Sequence, residues 1–394
     1  MRAVSLLRDI WRQRRGEVNL PRFLTYIVTF KCNARCIMCD CWKKPSPDEL
    51  TIEEIERVFR QLPRMDAVRL SGGEPFVRQD FGDIARLTTT LLRPSFLHVT
   101  TNGFLTKRVV EFCEQRERGT PLQLLVSLDG TEDKHNEVRG RETAWDTTYA
   151  TVQALAPRQK ELRLSLAVNQ TIVDRDGLAE HRKLRARLRP LGVPVNAVIA
   201  YDVSATYSLE QEKEAAPLNS GDFTTFGKFD RADARELLAE LEAGVRDRPW
   251  VERLAKNYYF SGIRSRLLEG VGSPNPPCVA LNSHMRLFPN GDVPVCQFNS
   301  KRAGNLRHET FAAVWSGEAI RPQREWVKRC AGCWAECEVL PNALYSGDGF
   351  KHALRSLWPG RQPGGSGAQA APAPCANRHP TVTAAPLTGV GGRD

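Results

Sequence analysis

The chain has 394 residues, with 41% hydrophobic and 26% charged side chains and a formal net charge of +10. That length supports a large core and more than one domain, and no apolar run is long enough to span a bilayer. The N-terminal Met1–Ile10 lacks the apolar stretch and small-residue cleavage site of a signal peptide, so a cytoplasmic location is expected. Arginine dominates the basic residues, which reads as a solvated basic surface rather than a nucleic-acid footprint; no nucleic-acid motif accompanies it. Nine of the 11 cysteines fall in two groups, 32/36/39/41 and 278/296/330/333/337. Grouped thiols without secretion point to metal rather than disulfides.

Residues 2–15 place Val4, Leu7 and Trp11 on one helical face, with Leu6 and Ile10 beside it and arginines around them. This predicts a basic amphipathic helix, within an N-terminal segment 1–22, that packs on the barrel as a lid; a membrane-surface contact through residues 1–15 is the alternative. Strands are predicted near 23–30, 67–71, 96–101, 122–128, 162–169 and 193–200. Amphipathic helices separate them, one opened by a Thr51/Glu54 capping box. The alternation implies parallel strands in βαβ units, an α/β fold. In barrels of such units the chemistry gathers at the C-terminal strand ends.

On the loop leaving the first strand stand Cys32, Cys36 and Cys39, at C-x3-C-x2-C spacing. Three thiolates can hold a four-iron cluster and leave one iron open; a zinc loop or buried thiols satisfy the spacing too. Ser71-Gly72-Gly73-Glu74-Pro75 follows the second strand, Asn102-Gly103 the third, and Ser127-Leu128-Asp129 the fourth.

The triad and the Gly-Gly-Glu-Pro segment together resemble the radical SAM superfamily. The resemblance implies a partial (β/α)6 barrel over residues 23–200. It implies a [4Fe–4S] cluster on Cys32, Cys36 and Cys39 whose open iron binds S-adenosylmethionine (SAM). Reductive cleavage of SAM then gives a 5′-deoxyadenosyl radical that abstracts hydrogen from a peptide or small molecule. The same resemblance assigns SAM contacts to Gly72, Gly73, Glu74, Asn102, Ser127, Asp129, Arg139 and Asn169. Met38 stands where the family has an aromatic residue and is expected to pack on adenine.

Residues 201–277 read as a helical bridge, with Asp230 capping one helix and a second over Trp250–Leu268. The block 278–345 runs C-x12-G-x4-C into Cys330-x2-Cys333-x3-Cys337. Met285–Phe288 and Asp292–Val295 around Asn290-Gly291 predict a hairpin that brings Cys278 and Cys296 together. The block resembles the SPASM/twitch extension, which implies one auxiliary [4Fe–4S] cluster on Cys278, Cys296, Cys330 and Cys333. Cys337 is a further ligand or a free thiol. Catalytic side chains are not legible; Cys337, Glu336 and Cys41 are the candidates. An external electron donor of the flavodoxin or ferredoxin type is implied. A non-catalytic iron–sulfur or zinc carrier is the alternative function. Residues 359–394 are rich in Gly, Pro and Ala and read as a disordered tail.

Overall fold

The structure is a computed structural model that describes residues 3–200, 230–246, 248–330 and 332–357. The first part of the bridge (201–229) and the tail (359–394), with its Cys375, lie outside the described residues.

Seven parallel strands form one sheet. They are β1 (Phe23–Ile27), β2 (Ala67–Ser71), β3 (Phe96–Thr101), β4 (Leu122–Ser127), β5 (Leu164–Ile172), β6 (Val195–Ile199) and β7 (His284–Leu287), in the order β6-β5-β4-β3-β2-β1-β7. The first six are the predicted strands, with ends shifted by a few residues. β1 stops at Ile27 because the chain then turns into the cysteine loop. Parallel strands covered by crossover helices are buried on both faces, and all five residues of β1 are buried.

Side chains alternate along each strand. Leu24, Tyr26, Val68, Leu70, Leu97, Val99, Leu124 and Val126 point outward into one core beneath the helices. The alternate positions Arg286, Thr25, Arg69, His98 and Gln123 lie side by side in register on the concave face. That row is polar, so the hollow of the barrel is not an apolar plug.

The predicted hairpin is corrected. Its first arm, β7, pairs parallel to β1 (Phe23↔His284 through Tyr26↔Leu287) and becomes the seventh strand of the sheet. The Asn-Gly turn does form, closed by Phe288 N–H donating to Asp292 O at 2.9 Å. The chain after it, β8 (Asp292–Pro294), pairs instead with β9 (Arg302–Asn305), antiparallel. The open edge of β1 wins because every residue of β7 is buried there.

The capping box is present: Glu54 N–H donates to Thr51 Oγ1 at 3.3 Å and Thr51 N–H to Glu54 Oε2 at 3.0 Å. Asp230 caps the Arg231–Ala243 helix as expected. The second bridge helix, Trp250–Arg264, ends in a π turn over Ser265–Glu269.

The N-terminal helix, Ala3–Arg14, packs through Leu6 and Ile10 against Phe23, Ala67, Val279 and Tyr345. Phe23 and Ala67 are the first residues of their strands, so the helix closes the N-terminal end of the barrel rather than covering the cysteine loop. Arg22 fastens it, donating to Asp9 at 2.6 Å and to Asp66 at 2.7 Å. Val4, Leu7 and Trp11, expected on the packed face, are exposed at 82%, 64% and 54%.

The bridge helices form a second core with β5 and β6. Leu237, Leu238, Tyr259 and Ile263 meet Ile172, Ile199, Trp334 and Val339. Trp334 is 1% exposed and its indole N–H donates to Tyr259 O at 2.8 Å. Its ring packs directly against Gly262, where any Cβ would collide with it. Gly262→Ala is therefore expected to cost ~1–3 kcal/mol by overpacking, read as a lower midpoint in chemical denaturation, with Gly244→Ala as the control.

Candidate iron–sulfur and SAM site

The cysteine loop is held from three sides. After β1 the chain runs alongside the segment after β2: Gly73 N–H donates to Thr29 O at 2.8 Å and Glu74 N–H to Lys31 O at 2.9 Å. At Gly72 and Gly73 a Cβ would strike the carbonyls of Thr29, Phe30 and Lys31. The glycines are thus required by the approach of two backbones. From the other side, Arg35 N–H donates to Arg139 O at 2.9 Å and Ile37 N–H to Val138 O at 3.1 Å. Asn102 Nδ2 donates to Asn33 Oδ1 at 2.7 Å, tying in the segment after β3. Asn33, inside the triad, carried no sequence signal beyond its place in the motif.

Cys32, Cys36 and Cys39 are unpaired, partly exposed thiols. Burial pushes the Cys32 thiol up to about 12. Cys39 is pulled down to about 7, chiefly by a hydrogen bond from the Cys41 thiol. Cys41 is itself buried, with its backbone N–H 3.4 Å from Cys39 Sγ and its thiol 3.3 Å from Phe30 O. The structure thus makes Cys41 a support for the triad. Arg139 reaches Cys36 Sγ at 3.5 Å.

Several predicted SAM contacts carry protein partners. Glu74 is 1% exposed. It accepts from Thr101 Oγ1 at 2.7 Å, Phe76 N–H at 3.1 Å and Asn102 N–H at 2.6 Å, so it ties the ends of β2 and β3 together. Burial raises its carboxyl to about 7 despite those bonds. Asp129 pairs with Arg139 Nε at 2.6 Å and accepts from Thr171 N–H at 2.8 Å. Asp129 thereby orients Arg139. Ser127 and Asn169 stand next to each other across β4 and β5, with no side-chain hydrogen-bond partner among the described residues, and so remain open to a ligand. Met38 packs on Val138, Val173 and Ala200.

The C-terminal thiols form a second group. Cys278 is raised to about 12 by burial, with Glu338 and Cys330 adding to the shift. Cys296 and Cys333 are raised as well, each by burial first and then by neighbours that include Glu338 and Cys278. Cys337 Sγ contacts Gln297 Oε1 at 2.7 Å, and its carbonyl accepts from Arg69 at 3.3 Å. Glu336, a candidate base, is taken up by Lys256 at 2.5 Å.

The charged centre beside these thiols was missed from the sequence. Glu338 is 2% exposed and pairs with Arg286 and, at 3.3 Å, with His284 Nδ1. His284 Nε2 in turn meets Thr25 Oγ1 at 3.0 Å. His284 and Arg286 share β7, but Glu338 comes from the Glu336–Tyr345 helix about 50 residues later, and only the packing of that helix against β7 assembles the three. Burial pushes the Glu338 carboxyl up, but Arg286 and His284 outweigh it and hold it at about 2.

The donor sets fit iron–sulfur chemistry: reduced thiols, grouped in threes and fours, with basic groups near the triad. Among the described residues no three His, Cys, Asp or Glu side chains converge on the position of a single ion. A four-iron cluster spreads its ligands more widely than zinc, whose sulfurs lie about 2.3 Å from one point.

Residues 26–183 match the family model of the radical SAM superfamily. The chain thus carries a radical SAM domain, and residues 278–334 match SPASM, an iron-sulfur cluster-binding domain. A curated relative, the AdoMet-dependent heme synthase of Methanosarcina barkeri, is 26% identical over 348 residues, which cover 80% of this chain and 92% of that protein. Among solved structures, anSMEcpe with bound AdoMet and the Cp18Cys peptide gives a TM-score of 0.51 at 16% identity over 86% of this chain and 98% of that one. Streptococcus suis SuiB bound to its precursor peptide SuiA gives 0.53 at 16% identity over 80% and 69%. The cofactors are accordingly a [4Fe–4S] cluster, SAM and an auxiliary iron–sulfur cluster.

Glu338 has a depressed pKa, so its contribution to stability is present above the ordinary carboxylate pKa and is lost as pH falls toward about 2. Glu338→Gln is expected to lower stability at pH 7 and to flatten the acid limb of the stability–pH curve. An unchanged acid limb in urea titrations would remove this role.

Proposed function

We propose that the protein is a radical SAM enzyme that takes a hydrogen atom from an unactivated C–H bond of a substrate held in the hollow of the barrel. The observation that carries this reading is the cysteine loop itself. It is pinned by the segments after β2 and β3 and by the end of the Glu132–Arg139 helix, and stands at the C-terminal mouth of a concave, polar sheet face. When bound, the cluster and SAM supply a low-potential electron and a carbon-centred radical; the protein supplies position and shielding.

In that reading Cys32, Cys36 and Cys39 hold the cluster. Ser127, Asn169 and Arg139 face the SAM carboxylate and ribose, with Arg139 fixed by Asp129. Glu74 and Asn102 keep the three loops in register. Cys278, Cys296, Cys330 and Cys333 hold the auxiliary cluster, with Cys337 beside it. The domain limits follow: barrel 23–200, bridge 201–277 and cluster domain 278–345.

A peptide substrate is supported by the architecture shared with two peptide-bound proteins. A heme precursor is a second reading. It is supported by the heme synthase match across 92% of that protein and by Arg69. This concave-face cation has no carboxylate partner among the described residues, and heme precursors carry carboxylates that a guanidinium binds well.

Anaerobic incubation with SAM and dithionite should yield 5′-deoxyadenosine, and Cys32→Ala/Cys36→Ala/Cys39→Ala should abolish it. A wild-type protein that binds iron and makes none is a carrier, and the enzymatic reading falls. Iron per chain should drop from about eight to about four in that triple variant; loss of all iron would remove the auxiliary cluster. Deuterium moving into 5′-deoxyadenosine from a labelled peptide, or from a labelled heme precursor, decides between the substrates. If Arg69 holds a carboxylate, Arg69→Gln should raise KM about tenfold or more for the heme precursor and leave kcat nearly unchanged.

A further inference from the structure

The C-terminal thiols are not sealed in the interior. A cleft of about 280 Å³ lies between the end of the N-terminal helix and the Arg321–Arg329 helix. Cys278 and Cys330 line it together with Gln13, Glu17, Arg324 and Lys328. Both cysteines are partly exposed.

The surroundings of this cleft are basic. Arg14 and Arg15 stand exposed on the N-terminal side, and Lys328 and Arg329 on the other. Lys328 is paired with Glu325 at 2.7 Å and Arg12 with Glu17 at 2.9 Å. Among the described residues Arg14, Arg15 and Arg329 form no ion pair. Arg15 lies over the Trp11 ring, 4.1 Å from its centroid. Trp11 and Leu7 are exposed farther along the same helix. An exposed aromatic and aliphatic pair beside unpaired arginines is the composition of a docking patch, not of an ordinary solvated face.

The cleft also sits apart from the cysteine triad. The N-terminal helix rests on the first residues of β1 and β2, whereas the triad follows the last residue of β1. A protein docked at the cleft would leave the mouth of the barrel free for substrate.

Building on the radical SAM reading, we propose that this cleft is the docking site of an acidic one-electron carrier, a small flavin or iron–sulfur protein. The carrier gives up one electron, and the centre held by Cys278, Cys296, Cys330 and Cys333 gains it; no bond or proton is exchanged. The basic rim steers the acidic partner, Trp11 and Leu7 provide the apolar contact, and the thiols lining the cleft bring the receiving centre close to the surface. Redox encounters of this kind need only a small interface.

The test uses the full, cluster-loaded chain, an acidic [2Fe–2S] ferredoxin and an acidic flavodoxin. Binding is followed by interferometry, and reduction of the protein by anaerobic absorbance. Wild type should bind at least one carrier, less tightly as salt rises well above ~0.15 M. Arg15→Glu/Lys328→Glu/Arg329→Glu should weaken binding about tenfold or more and slow reduction by the carrier, with reduction by dithionite unchanged. Trp11→Ala should weaken binding without altering its salt dependence, and Lys107→Glu, elsewhere on the surface, should do nothing. Equal carrier binding by wild type and the triple variant overturns the proposal, as does absence of binding by either carrier. Capture of wild type by phosphatidylserine vesicles through Trp11, with neither carrier bound, assigns the patch to a membrane and also overturns it. The two readings fail separately. Without 5′-deoxyadenosine under dithionite the enzymatic reading falls, whereas its formation without carrier binding removes only the docking site.

Discussion

Two glycines set how closely the loop leaving β1 can lie against the loop leaving β2. With no Cβ at Gly72 and Gly73, the carbonyls of Thr29, Phe30 and Lys31 come into direct backbone contact with the second loop. Everything at the barrel mouth depends on that approach. Gly73 and Glu74 donate to the cysteine loop, Glu74 collects the end of β3, and Asn102 returns to Asn33 within the triad. The cysteines are held by a closed circuit of hydrogen bonds rather than by a floppy loop, as a site of fixed geometry requires. Buried and accepting three hydrogen bonds, Glu74 serves as a structural keystone between the loops.

The same logic of buried polar groups recurs at the other cysteine group. Glu338, Arg286 and His284 form a compact charged centre under the C-terminal thiols. Breaking such a centre by removing one partner leaves an uncompensated buried charge, which is costly. Because its members come from β7 and the Glu336–Tyr345 helix, the centre locks the cluster domain onto the sheet.

Much of this was legible in the sequence. The six strands of the barrel and the two thiol groups follow from apolar periodicity and cysteine spacing, both local signals. The capping box at Thr51 and the cap at Asp230 are equally local and stand as read. What failed was long-range. Nothing near His284–Leu287 says that its partner lies about 260 residues earlier, so the Asn-Gly turn suggested an adjacent hairpin. On the N-terminal helix, Leu6/Ile10 and Val4/Leu7/Trp11 are both apolar faces; only tertiary packing decides which is covered. Asp129 and Glu74 are a third case: the sequence places each carboxylate at a strand end, but their protein partners, Arg139 for one and Thr101 and Asn102 for the other, come from other elements.

The pairing of β7 with β1 changes what the C-terminal domain is. A strand buried on both faces, such as β1, offers a continuous row of backbone donors and acceptors on its outer side when its neighbour is removed. A chain ending before Cys278 would expose that row along the edge of a hydrophobic sheet, an invitation to pair with other chains. The cluster domain is therefore not a module that evolution or an engineer can add to a finished barrel and take away again. It supplies the last stave of the barrel wall, and its thiols, charged centre and cleft are inherited from the same act of closure.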